Sequence, residues 1–240
     1  GDFARAAILS KWLPALIRTR SWLSSRGIAI HLFCELLKNN RDYVATVSSS
    51  FLKRRAEVSA RKDDPFNVMI EGIRALSKGN MDQAHRSLFV VSDLFLKTSE
   101  FKYFLFPHEK HFVCLYLLIF PLICEDEIGR NISSKMVRHR GYAAALRKMI
   151  ELVDNGNPVV LLIKARAQEL LRIKGALRNY GAALEKAQSR DIRFICAMIY
   201  MWFGQCLVSA GKSERKNYIL KAREFFKSDG VQTLKNFIDK

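Results

Sequence analysis

His108 and His111 bracket Glu109 and Lys110 in a short "HEKH" segment, the one place in the chain where two histidines stand within a helical turn of each other. A zinc hydrolase needs two helical histidines one turn plus one residue apart, so that both imidazoles reach one ion beside a general-base glutamate. Here the histidines are three apart, the glutamate adjoins the first, and no third ligand lies nearby. The pattern therefore reads as polar surface. The "CEDEIG" segment, Cys124 to Gly129, gathers carboxylates without the alternation of a calcium loop and reads as a helix entering a turn. Cys34 sits three residues after His31 on an apolar stretch, where packing explains it better than nucleophilic chemistry. The chain has no glycine-rich phosphate loop and no GxSxG elbow. We expect no enzyme, no metal and no cofactor.

The charge is the second chemical feature. Forty Lys and Arg face 23 Asp and Glu, a formal balance of +17. Such an excess attracts anions over long range and says nothing of fold. The cations are scattered in small groups, of which Lys53, Arg54 and Arg55, and Arg138 with Arg140, could contact phosphates of a nucleic acid. They recur at no fixed position, so a base-by-base code is not expected.

These groups must be carried by helices. Glycine (12) and proline (5) are too sparse for the turns of an all-β chain, and apolar residues recur at three-and-four spacing. The expected helices are roughly 3–19, 21–38, 41–60, 66–78, 81–98, 108–124, 133–153, 158–173, 177–188, 191–209, 213–227 and 230–238. "KDDP" and "NGNP" mark helix starts, and "LSKGNMD" and "DEIGRNISS" mark breaks. Short connections predict antiparallel hairpins. The one candidate boundary lies near Asp63, Asp64 and Pro65, dividing an N-terminal helical segment (1–64) packed on the array from helical repeats (65–240). The most apolar run, Phe112 to Cys124, contains Pro121 and is too short to cross a bilayer, so no membrane span is expected.

Five cysteines without a CxxC pair, each in apolar sequence, predict buried free thiols and a cytoplasmic or otherwise intracellular setting. The opening "GDFARAAILSKWL" has no signal-peptide pattern and no initiator methionine, and reads as a piece of something longer.

Glycines mark a repeat. Gly72 lies seven residues before Gly79, with Ala84 five and Leu88 nine after it; Gly204 lies seven before Gly211, with Leu220 nine after. Gly175, Leu184 and Ala187 suggest a third unit, 36 residues before the last. A glycine closes each hairpin turn and a small residue lets its helices cross closely. In these residues the chain resembles the tetratricopeptide repeat family, and its tail is similar to the degenerate repeats of large regulatory ATPase and cyclase signalling proteins. The family's small-residue position is held by Lys216 and Tyr180 in the later units.

The resemblance implies an all-α fold of antiparallel hairpins stacked as a superhelix, binding a protein partner or adjoining domains of its parent chain on the face of the first helices. Phe66, Met69 and Ile73 fall there in one unit, and Met198, Met201 and Gln205 in another. No Lys, Asn and Arg set for gripping a carboxylate is present. An apolar, methionine-bearing face suits a partner segment. The expected function is a non-enzymatic interaction scaffold or regulatory module; the alternative is a basic helical-repeat protein that binds nucleic acid.

Overall fold

The computed structural model describes residues 23–56, 64–97, 107–128, 136–153, 155–209 and 215–239. The expected helix at 3–19 and the turn glycine Gly211 lie outside them. Eleven helices, and no strand, are found among the described residues: α1 Leu23–Leu37, α2 Arg41–Ala56, α3 Pro65–Ser77, α4 Met81–Lys97, α5 Pro107–Ile128, α6 Arg140–Ile150, α7 Pro158–Leu170, α8 Ala176–Ser189, α9 Arg193–Ser209, α10 Arg215–Ser228 and α11 Gln232–Asp239. None is long and apolar enough to cross a membrane.

Two helix starts follow from sequence chemistry. Asp64 and Asn157 each precede a proline at the first helical position, where its missing N–H costs nothing. The Asp64 side chain accepts from the Phe66 N–H at 3.0 Å, and Asn157 from the Val159 N–H at 2.9 Å. These bonds satisfy donors that the first helical turn leaves open.

Five helix ends share one device. Asn39, Gly79, Arg172, Asp191 and Gly230 take left-handed backbone, with φ of 64°, 74°, 57°, 50° and 69°. In each case the next residue's N–H reaches back to a carbonyl in the finished helix: Asn40 to Glu35, Asn80 to Ala75, Ile173 to Gln168, Ile192 to Ala187 and Val231 to Phe226, at 2.8–3.0 Å. This is the Schellman closure. It corrects the third unit, where Arg172 takes the left-handed turn; Gly175, with φ 107°, is the N-cap of α8. It also exposes an offset not read from the glycines: Lys38, Asn39, Asn40 and Asp42 superpose on Lys78, Gly79, Asn80 and Asp82, a period of 40 residues.

The chain forms two compact units meeting at Val113 and Cys114, inside α5. In the amino-terminal unit α1 packs on α2 and α3, α2 on α3, and α3 most extensively on α4. The chain is therefore continuous in packing across Asp64 and Pro65, and the division falls later than the expected 64/65 boundary. In the carboxy-terminal unit α6 packs on α7, α7 on α8 and α9, α8 on α9, α9 most extensively on α10, and α10 on α11. Hairpins thus follow one another within each unit, with first helices α1 and α3, and α7 and α9, also in contact. The expected helix at 133–153 shortens to α6, because His139 adopts extended backbone (φ −75°, ψ 122°) and starts the helix anew.

Burial fixes the register of the second helices. Ala84 and Leu88 of α4, Ala183 and Ala187 of α8, and Ala222 and Phe226 of α10 are i, i+4 pairs in the core. Leu220, expected to align with Leu88, instead lies outside, and Ala222 is the small residue that Lys216 was thought to replace. Gly204 does lie at a close crossing: a Cβ there would sit 3.0 Å from Ile219 Cδ1, 3.1 Å from its Cγ1 and 3.3 Å from Tyr218 Cβ. Gly204→Leu is expected to overpack the α9–α10 contact and cost about 1–3 kcal/mol. Urea unfolding would show this as a lower midpoint; an unmoved midpoint would mean the two helices do not cross there.

Candidate interaction surface

Phe66, Met69, Ile73, Met198 and Met201 are fully buried, each at 0% exposure, and only Gln205 of that set is partly open. These five side chains fill the cores of their own units. Burying them removes apolar surface from water, and three-and-four periodicity alone does not distinguish such an inward stripe from an outward groove. The structure thus leaves no open apolar face at these positions.

The basic candidates sit outside. Lys53, Arg138 and Arg140 are exposed. The side chains of Arg54 and Arg55 lie outside the described residues. Arg138 and Arg140 flank His139 in the turn leading into α6.

The "HEKH" segment opens α5. Its Glu109 is buried, and the carboxylate lies 3.1 Å from the Arg26 guanidinium on α1, which in turn sits 5.4 Å from the centre of the Phe66 ring. The acid that a zinc hydrolase would use as a base is committed to an ion pair. No group of three metal-ligating residues occurs among the described residues.

His31 belongs to a polar seam between α1 and α2, and Cys34 lies on α1 near Glu35 and Lys38 of the same seam. His31 Nε2 and the Tyr43 hydroxyl are 3.0 Å apart, and Glu35 accepts from Lys38 at 2.8 Å and from the Asn40 amide at 3.0 Å. Burial raises the Glu35 pKa, but these hydrogen bonds together with the charges of Lys38 and His31 outweigh it and hold the carboxyl below its ordinary value. Burial pushes the Cys34 thiol up to about 11, the opposite of an activated nucleophile. A similar seam joins α7 and α8: Asn179 donates to Gln168 at 2.8 Å, and the Tyr180 hydroxyl to Glu169 at 2.5 Å.

All five cysteines are free thiols. Cys206, like Cys34, is pushed up to about 11 by burial. Since a thiol of ordinary value 9.0 ionises first in the unfolded chain, stability from these groups is intact below pH 9 and falls as pH rises from 9 to about 11. We expect thiol reagents to label the folded protein slowly at pH 8 and all five cysteines rapidly once it is denatured. Fast native labelling of Cys34 would overturn its assignment to the packed seam.

The surface that sequence reading missed is the outer side of α10, backed by a largely buried ring ladder that joins α8, α9 and α10. Five rings form a ladder: Tyr180 to Phe203 at 5.7 Å, Phe203 to Tyr218 at 4.9 Å, Tyr218 to Tyr200 at 5.8 Å and Tyr200 to Phe225 at 5.9 Å between centroids. Lys221 lies 5.5 Å from the Tyr200 ring centre and Arg193 5.6 Å from that of Phe225, both within cation–π range. Arg193 also pairs with Asp229 at 3.2 Å. Outside this ladder, α10 turns Lys216, Leu220, Lys221, Arg223 and Lys227 to solvent, with Glu224 the one acid of the helix. The signal was present in "RKNYILKAREFFKS", where Tyr218, Phe225 and Phe226 fall on one side of the helix and Lys216, Arg223 and Lys227 on the other. It was overlooked because Leu220 had been assigned inward.

Comparison with protein-family models, curated proteins and solved structures finds no match to this chain.

Proposed function

We propose that the chain is a non-enzymatic interaction module, a tetratricopeptide-like array of helical hairpins that serves a larger intracellular protein by binding an anionic partner segment. What carries the reading is the division of side chains by chemistry. The apolar residues of the first helices are consumed by the core, while Lys53, Arg138, Arg140, Lys216, Lys221 and Lys227 stand exposed on a chain of +17. Long-range attraction then favours an acidic protein segment, or an acidic adjoining domain of the parent chain, as partner.

Nucleic acid is the second reading, favoured by the exposed Arg138 and Arg140 on either side of His139. The two readings separate by salt. The full chain is titrated with a fluorescent acidic peptide and with random single-stranded RNA of equal charge, from low to physiological ionic strength. We expect RNA binding to be weak, sequence-independent and lost near physiological salt, and peptide binding to persist. Arg138→Ala with Arg140→Ala should reduce the log-affinity versus log-salt slope for RNA by roughly one unit per lost phosphate contact. Tight RNA binding at high salt would place nucleic acid first, and failure of both probes would remove the anionic-partner reading.

A further inference from the structure

The outward face of α10 combines charge with one large apolar side chain. Lys216, Leu220 and Lys227 lie close to one line along the helix, at i, i+4 and i+11, and Leu220 is 51% exposed. Arg223 and Glu224 flank the line, and the exposed residues of the helix carry four bases and one acid: Lys216, Lys221, Arg223 and Lys227 against Glu224. From Lys216 to Lys227 the face is roughly 16 Å long, three turns of helix. The opposite side is occupied within the unit, by Ala222 and Phe226 in the core and by Tyr218 and Phe225 in the ring ladder.

We infer that this face of α10 is a docking surface for an acidic amphipathic protein segment, one that sets an apolar side chain on Leu220 and carboxylates against Lys216 and Lys227. The inference rests on the anionic-partner reading and locates it. Leu220 selects among anions. A nucleic acid seats its bases best on aromatic rings, which the line of Lys216, Leu220 and Lys227 does not present, whereas a leucine or phenylalanine between carboxylates matches both the isobutyl side chain and the charge. An anionic bilayer would need several apolar side chains on the same face, and α10 offers one. Glu224 lies on the partner's side of the helix and would disfavour a carboxylate opposite it, which sets the spacing of the acids toward the two ends.

The test uses the full chain and a labelled acidic peptide of about twelve residues, long enough for three helical turns, with a central leucine. A second peptide carries serine in place of that leucine, and single-stranded RNA and phosphatidylserine vesicles complete the probes. Leu220→Ser should weaken the leucine peptide about tenfold while leaving the serine peptide and RNA unchanged; removing a partly buried leucine contact has that size. Lys216→Glu with Lys227→Glu should weaken both peptides. Circular dichroism of the variants should match the parent, since the side chains are exposed. If the leucine peptide binds parent and Leu220→Ser equally, the α10 assignment is wrong while the anionic-partner reading stands. If RNA or vesicles lose affinity on Leu220→Ser and the peptides do not, the surface belongs to that other partner and the inference fails. If no anionic probe binds the parent, both readings fail.

Discussion

Glu169→Ala is expected to destabilise the protein by about 3–5 kcal/mol, the cost of leaving a buried cation without its counter-charge. Arg166 is 6% exposed, and its guanidinium lies 2.9 Å from the Glu169 carboxylate and 5.2 Å from the centre of the Trp202 ring. The Tyr180 hydroxyl donates to the same carboxylate. Burial drives the Tyr180 pKa well above its ordinary value, and the neighbouring Glu169 charge raises it further, so the phenol stays a donor. Removing the acid strands both groups at once. Changing Arg166 and Glu169 together to Met and Leu should recover the part of the loss due to the buried charge and leave only the cost of the Tyr180 hydroxyl losing its acceptor. Urea midpoints of the single and double variants measure this. A Glu169→Ala cost below about 1 kcal/mol would place the pair among solvent-screened bridges and contradict its burial.

The second large effect concerns Glu109. Its pair with Arg26 has side-chain exposures of 7% and 11%, so Glu109→Gln should also cost about 3–5 kcal/mol, and Arg26→Ala a similar amount. Here the measurement separates two views of "HEKH". If the acid is structural, the variant loses thermal stability and added zinc leaves parent and variant midpoints unmoved. If the segment bound metal, zinc would raise the parent midpoint by mass action and Glu109→Gln would cost little without it. A zinc-dependent shift would defeat the structural assignment.

Much of the fold was legible because its signals are local. Proline after Asp64 and Asn157 marks helix starts that the backbone requires at those places, and the expected helices 66–78 and 158–173 fall close to α3 and α7. The break before α6 was not legible: "RHRG" contains no proline, and nothing local announces that His139 leaves the helical region. The third turn was misplaced because glycine was taken as the mark of left-handed backbone, whereas Arg172 adopts it here. The candidate surface was harder still. Whether Met69 or Leu220 faces inward depends on which helices pair, and the spacing of apolar residues is the same in either case. Gly204 was placed correctly because a residue without a side chain has a direct consequence wherever two helices meet closely.

The five left-handed closures carry a consequence for descent. Each is made by main-chain N–H and C=O groups, which every residue but proline supplies in full, and its key position is held by asparagine, glycine, arginine, aspartate and glycine in turn. Selection on such a corner acts on conformation first, and on residue type only so far as positive φ favours glycine, asparagine and aspartate, which hold four of the five positions. Mutation can therefore rewrite the letters of successive hairpins while their geometry is inherited intact, and copies arising from one ancestral hairpin would lose their written kinship long before their shape. In this chain the corners at Lys38–Asp42 and Lys78–Asp82 carry the same lysine, asparagine and aspartate at matching places, the one such likeness among the five.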